Sequence, residues 1–258
     1  MTLFIALSIV LVAGLVAAVG SMVVHRTVHV ELRRRHNEIG TAVFLQLGVI
    51  FAVLLAFVFS EVWSEYNDAA SAIEMESKAL VGAAILASAL PADQGQPILQ
   101  AERAYIAGVI HDEWPEMAQG RDEATTVSVK LSHLIQQTAR MRPDNAADLG
   151  TRSQLLSFLE QAQMQRSTRL FQLSSGVPLL LWCLLIGFGS VLAIFVTLAG
   201  VENGGALMSF SVTFAAAVAA ILVLIHLLDY PFEGALALGP QPFLVALDQI
   251  SHFATSGP

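Results

Sequence analysis

The chain has 258 residues, of which 55% are hydrophobic and 13% charged, where an average soluble domain carries about 25% charged residues. Its net charge of −8 offers no basic field to nucleic acid, and a single cysteine, Cys183, excludes an intramolecular disulfide or a cysteine metal cluster. That length accommodates one membrane bundle and one modest helical insert.

Residues 3 to 24 contain no Asp, Glu, Lys or Arg, and a helix of roughly 20 apolar residues spans about 30 Å of hydrocarbon. The segment lacks a basic lead-in and a clear cleavage signal, so it reads as a retained first span rather than a secretory leader. His25 to Gly40 follows, with Arg26, Arg33, Arg34 and Arg35 against Glu31 and Glu38. Short arginine-rich loops stay cytoplasmic, which places the N-terminus outside. Residues 42 to 60 are the second uncharged span. The 112 residues from Ser64 to Ser175 then form an insert with fourteen acidic and nine basic side chains, on the extracytoplasmic side by the same rule. Residues 176 to 201 and 203 to 225 are the third and fourth spans, joined by an inner turn at Val201 to Gly205, and both termini lie outside.

The insert reads as helical. From Glu61 the chain runs to Gly82 without Gly or Pro, so the second span is expected to continue into it. Pro91 to Pro97 is a turn by composition. Helices follow at Ile98 to Ile110, Glu123 to Arg140 and Asn145 to Ser174, the last capped by Asp144 and leading into the third span. Ala235 to Phe253 is apolar but broken by Gly239, Pro240 and Pro242, and is expected at the interface or re-entrant. The fold class is therefore all-α and polytopic: four membrane helices in two pairs, with an insert continuous with the second and third. The divisions fall at 1–63, 64–175, 176–228 and 229–258. Small residues four apart, Ala13 with Ala17, Gly14 with Ala18, Ala215 with Ala219 and Ala216 with Ala220, point to the first and fourth helices as close packers.

Candidate functional residues are few. Glu61, Glu65 and Asp68 recur at helical spacing where the second helix leaves the membrane. Around an oligomer axis they would form acidic rings at a pore mouth; otherwise they are a solvated face, or partners of Arg166 and Arg169. Phe51, Phe57 and Phe59 are candidates for an apolar constriction. His25, His29, Arg33 and His36 suit a basic interfacial helix meeting anionic lipid better than a metal site, which would lack a third ligand. His226 precedes Asp229 by one helical turn, a spacing at which the two side chains can share a proton. No nucleophile and base pairing, phosphate loop or metal-ligand spacing is present, so no catalysis, cofactor or metal is expected.

Several signatures in order resemble those of the bacterial bestrophin-like membrane family. They are His36-Asn37, the run GVIFAVLLAF from Gly48 to Phe57, Trp63 with Ala69 and Glu74, and Tyr105 followed by Glu113-Trp114-Pro115. Arg166 and Arg169, Pro178 with Trp182, DYPFEG from Asp229 to Gly234, and Pro242-Phe243 complete the set. The resemblance implies an inner-membrane homo-oligomer embedded in lipid that conducts an ion, with the family pattern resting on His36, Asn37, Trp63, Glu74, Glu113, Trp114, Arg166, Arg169, Asp229, Pro231, Phe232 and Gly234. Glu74 or Glu113 would neutralise the two arginines, and Trp114 would pack a corner enforced by Pro115. Bestrophins proper are pentameric anion channels with a cytoplasmic funnel; the acidic insert and its outer placement depart from that pattern. The rival is a non-conducting sensor or scaffold whose insert binds a ligand or partner.

Overall fold

The computed structural model describes residues 1–35, 37–121, 125–142 and 146–255. His36 and the cap at Asp144 lie outside them, and of Asn37 only the backbone is described. The described residues are helical throughout, in the order α1 Leu3–Thr27, α2 Val30–Arg35, α3 Asn37–Ser88, α4 Ala92–Gly108, a π-turn Val109–Glu113, α5 Trp114–Met117, α6 Thr125–Ala139, α7 Ala146–Ser174, α8 Leu179–Thr197, α9 Gly204–Leu228, a 3₁₀ turn Gly234–Leu236 and α10 Gln241–Thr255. They form two compact units, Met1–Ser64 with Gly176–Tyr230, and Glu65–Ser175 with Pro231–Pro258.

In the first unit, α1 packs along α9, and α8 lies against both. Ala6, Gly14, Ala17 and Ser21 turn one stripe of small residues inward along α1, which lets backbones approach where packing rather than hydrophobicity joins helices. Gly189 of α8 shows why smallness matters: a Cβ there would sit 2.9 Å from Val218 Cγ1. The four expected spans all appear as helices long and apolar enough to cross a membrane, namely α1, α3, α8 and α9. The expected continuity of the second span with the insert appears as the single helix α3. On the return side it does not hold, because α7 stops at Ser174 and α8 begins only at Leu179. Pro178 forces the residue before it out of helical geometry, and the freed N–H of Val177 donates to Asp229 Oδ1 at 2.9 Å.

The second unit closes on one apolar core. The α3 stripe Ala69, Ala72, Ile73, Leu80, Ala83, Ala84 and Ala87 is buried, following the helical repeat of 3.6 residues. Against it lie Ile98, Leu99 and Ile106 of α4, Leu131 and Leu134 of α6, and Leu155 and Leu159 of α7. Gly95 is required where α4 begins, since a Cβ would come within 2.2 Å of the Ala87 carbonyl oxygen. The C-terminal segment, expected at the interface or re-entrant, instead completes this core. Phe243, Ala246 and Ile250 of α10 are buried in it, the two large side chains contributing about 1.5–3 kcal/mol each. Polar ties fix its entry: Tyr66 Oη donates to the Leu236 carbonyl at 3.0 Å, and Ser77 Oγ to that of Pro242 at 2.8 Å. Pro240 precedes α10 and Pro242 lies in its first turn, where a proline costs no helical bond, so the amphipathic run after them is free to bury its apolar side.

Candidate functional site

The densest polar constellation lies inside the second unit. Arg166 and Arg169 continue the buried stripe of α7 that begins with Leu155, Leu159 and Ala162, so the helix repeat carries both guanidinium groups into the core. Arg169 donates through Nε to Glu76 Oε2 at 2.9 Å, and through Nη2 to Glu76 Oε1 at 3.3 Å and Glu113 Oε1 at 2.5 Å. Arg166 forks onto Glu113 Oε2 at 3.1 and 2.5 Å. Tyr105 Oη donates to Glu76 Oε1 at 2.6 Å. Two carboxylates therefore meet two guanidinium groups, and each carboxylate oxygen accepts at least one bond, the condition under which buried charges are tolerated.

An aromatic box closes the network. The Arg169 guanidinium lies 5.3 Å from the Trp114 ring centre and 5.5 Å from that of Phe243, within cation–π range. Phe232 meets Trp114 edge-on at 6.0 Å, and Trp114 Nε1 donates to the Leu238 carbonyl at 3.3 Å. Burial alone would push the Arg169 guanidinium toward neutrality, but the carboxylates of Glu76 and Glu113 outweigh it and hold the group charged. Burial likewise drives the Tyr105 phenol well above its ordinary value, with Glu76 adding to the effect, so it stays a hydrogen-bond donor.

Glu113 reaches this network through the π-turn. The ring of Pro115 cannot accommodate a normal helical bond to the preceding turn, and the Trp114 N–H is accepted by the Val109 carbonyl five residues back. Pro115 thus widens the helix rather than making the expected corner, and the chain turns only after Met117, where Gly120 takes φ 68°. π-turns of this kind re-aim single side chains, and here the side chain is the glutamate.

The sequence expectation pairs Arg166 and Arg169 with Glu74 or Glu113. Glu113 is placed as expected, whereas Glu74 is exposed and paired with Lys78 at 2.7 Å. Its place is taken by Glu76, which sequence reasoning missed. The signal was present, because Glu76 interrupts an otherwise apolar stripe of α3. Glu113, Trp114, Arg166, Arg169 and Phe232 converge; Trp63, Glu74, Asp229 and Gly234 have other partners or places. Trp63 stacks on Phe59 at 6.3 Å and is exposed. Asp229 receives the Val177 N–H, so its carboxylate braces the approach to α8, while the His226 ring packs against Trp182 at 5.9 Å and Tyr230 at 5.0 Å. Gly234 takes φ 80°, the left-handed turn expected after Pro231.

Of the constriction candidates, Phe51 is buried, and a Cβ on Gly189 would stand 3.7 Å from its ring. Within its own unit it is turned inward with Val58, seven residues on along the same covered face, rather than outward. Phe57 is 68% exposed. Glu61 in the first unit and Asp68 in the second are exposed, and Glu65 is half-buried.

These features define an all-helical integral membrane protein whose second unit is built around a buried ion network. The sequence matches the Bestrophin-like domain over residues 10–243, and the chain belongs to that family. Its fold is similar to solved structures of a bacterial bestrophin homolog from Klebsiella pneumoniae. One, a point variant, aligns with TM-score 0.76 at 14% identity over 96% of this chain and 99% of that one. Another, phased on zinc, gives 0.73 at 15% over 96% and 99%. A crystal structure described as that of a membrane protein gives 0.75 at 15% over 95% and 98%. No curated protein matches the chain.

Proposed function

We propose that copies of the chain assemble around an axis into an ion-conducting pathway in a bacterial inner membrane, lined by the part of α3 in the first unit. The observation that carries this reading is a face of α3 left uncovered by its own unit. Val49, Val53, Phe57 and Glu61 recur every fourth residue along it, all exposed, and Gln46 and Ser60 are exposed with them. Phe51, Val58 and Val62 are turned inward and buried. Polar side chains on a bare membrane helix are costly against lipid, and tolerated against water or another protein surface. An apolar ring of valine and phenylalanine suits a constriction that gates by dewetting, and a Glu61 ring at its mouth favours cations. Membership of the bestrophin-like family supports the oligomeric channel reading.

Purified protein reconstituted in liposomes should carry an ion-selective current, and Glu61→Gln should lower the cation to anion permeability ratio several-fold while current persists. Absence of conductance in every salt and pH condition overturns the reading; unchanged selectivity removes Glu61 from it. The arginine-rich loop supports an extracytoplasmic side for the insert. Topology reporters fused after Ala118 and Pro258 should both report the outside, and a cytoplasmic signal at Ala118 reverses that orientation.

A further inference from the structure

Arg33 of α2 stands near the ends of α1 and α8 with only 6% of its surface exposed. Its Nη1 donates to the Ala199 carbonyl at 2.9 Å and its Nη2 to that of Val201 at 3.5 Å. Both carbonyls follow the C-terminus of α8, where orphan acceptors and the negative end of the helix dipole attract a cation. That accounts for one edge of the guanidinium only. Its Nε is buried without a hydrogen-bond partner, and among the described residues no carboxylate pairs with Arg33. The acidic residue of the neighbouring turn, Glu202, is held instead by Arg34 at 2.5 Å.

Arg33 also lines a cavity of about 400 Å³ whose other walls include Val28, Leu32, Phe44, Phe195 and Leu198. That volume is in the range of small-molecule sites, which combine apolar walls with a few convergent polar groups. The guanidinium fork matches phosphate, and the aromatic and aliphatic walls match a hydrocarbon chain. A free phosphate would leave those walls wet, whereas a neutral lipid would leave the buried cation without a counter-charge. The exposed Arg26 in the last turn of α1 adds attraction for an anionic surface.

We propose that this cavity binds an anionic phospholipid of the surrounding bilayer, its phosphate held by Arg33 and one acyl chain lying along Phe44 and Phe195. The assignment stands whether or not the protein conducts. It is tested by native mass spectrometry of the full chain in detergent with phosphatidylglycerol or phosphatidylcholine of identical acyl chains. The wild type should retain phosphatidylglycerol roughly five-fold more tightly, the scale of one basic contact. Arg33→Gln should abolish that preference. Gly40 borders the cavity, and a Cβ there would meet nothing within 4 Å, so Gly40→Leu should fill the space without disturbing the backbone and weaken retention of both lipids. Should Arg33→Gln fail to fold, Gly40→Leu carries the test. Equal retention of the two lipids by the wild type, or wild-type retention by Gly40→Leu, overturns the proposal. So does displacement of the bound lipid by millimolar inorganic phosphate, which would make the site one for the free ion. Loss of oligomers in Gly40→Leu with lipid binding intact also overturns it, by assigning the cavity to a second copy.

Discussion

Arg169→Met will lower the stability of the folded chain by about 3–5 kcal/mol, the scale of breaking a buried ion pair from one side. Arg169 is fully buried and touches both acidic members of the network. Its removal leaves Glu113 with Arg166 but leaves Glu76 with only the Tyr105 hydroxyl. A methionine fills much of the volume and supplies no donor, so the loss reports the stranded carboxylate rather than a cavity. Helical circular dichroism in detergent should show the melting midpoint falling by roughly 6–20 °C. Arg169→Lys should fall between, since it keeps the charge but not the fork that reaches two carboxylates. Adding Glu76→Gln to Arg169→Met should recover part of the loss, because contacting residues are not additive. Glu74→Gln, on the exposed pair with Lys78, should melt with the wild type. A melting point for Arg169→Met within 2 °C of the wild type would show that the network does not hold the unit together.

The contrast between Glu74 and Glu76 shows where sequence reasoning succeeds and where it stops. Uncharged runs of span length locate all four helices that are long and apolar enough to cross a membrane, because the hydrocarbon imposes a length that local sequence must meet. Arg166 and Arg169 stand out in the sequence through the family pattern, which implies that an acidic residue of the insert neutralises them. The identity of that residue was less legible. Helical spacing puts Glu76 among Ala72, Ile73 and Leu80, yet a reading that sorts acidic residues onto one wet face absorbs it there. Glu113 depends on a π-turn, which shifts the register by one residue; Pro115 marks an irregular helix there but does not tell which side chain the shift re-aims. The fate of α10 was hidden for a related reason: an apolar run broken by Gly and Pro fits a membrane surface or a protein core equally well. Only the partners Trp114, Ser77 and Tyr66, distant in sequence, decide between them. Periodicity tells which residues share a face but not which face is covered, and the burial of Phe51 turns on that point.

Glu102→Gln will stabilise the protein near neutral pH and flatten its stability curve between pH 4.5 and 8. Glu102 lies in the buried stripe of α4 between Leu99 and Tyr105, with both carboxyl oxygens unpartnered. Among the described residues none pairs with it: α6 contributes Val127, Leu131, Leu134 and Thr138 to the core and α10 contributes Phe243, Ala246 and Ile250, while the buried cations Arg166 and Arg169 of α7 are held by Glu76 and Glu113. Burial therefore holds the carboxyl well above its ordinary value of 4.5, and the folded protein carries it protonated. Below the unfolded value both states are neutral, and the group's contribution is fully present. As pH rises the unfolded chain ionises while the folded one keeps its proton, so stability falls, by up to about 1.4 kcal/mol per pH unit. The fall ends where the folded group itself titrates. Glutamine cannot ionise in either state, and its amide keeps the shape of the acid, so the difference between variant and wild type should be small at pH 4.5 and grow as pH rises, up to the point where the folded group titrates. Parallel melting curves across that range would mean that Glu102 is solvated or paired in the folded protein.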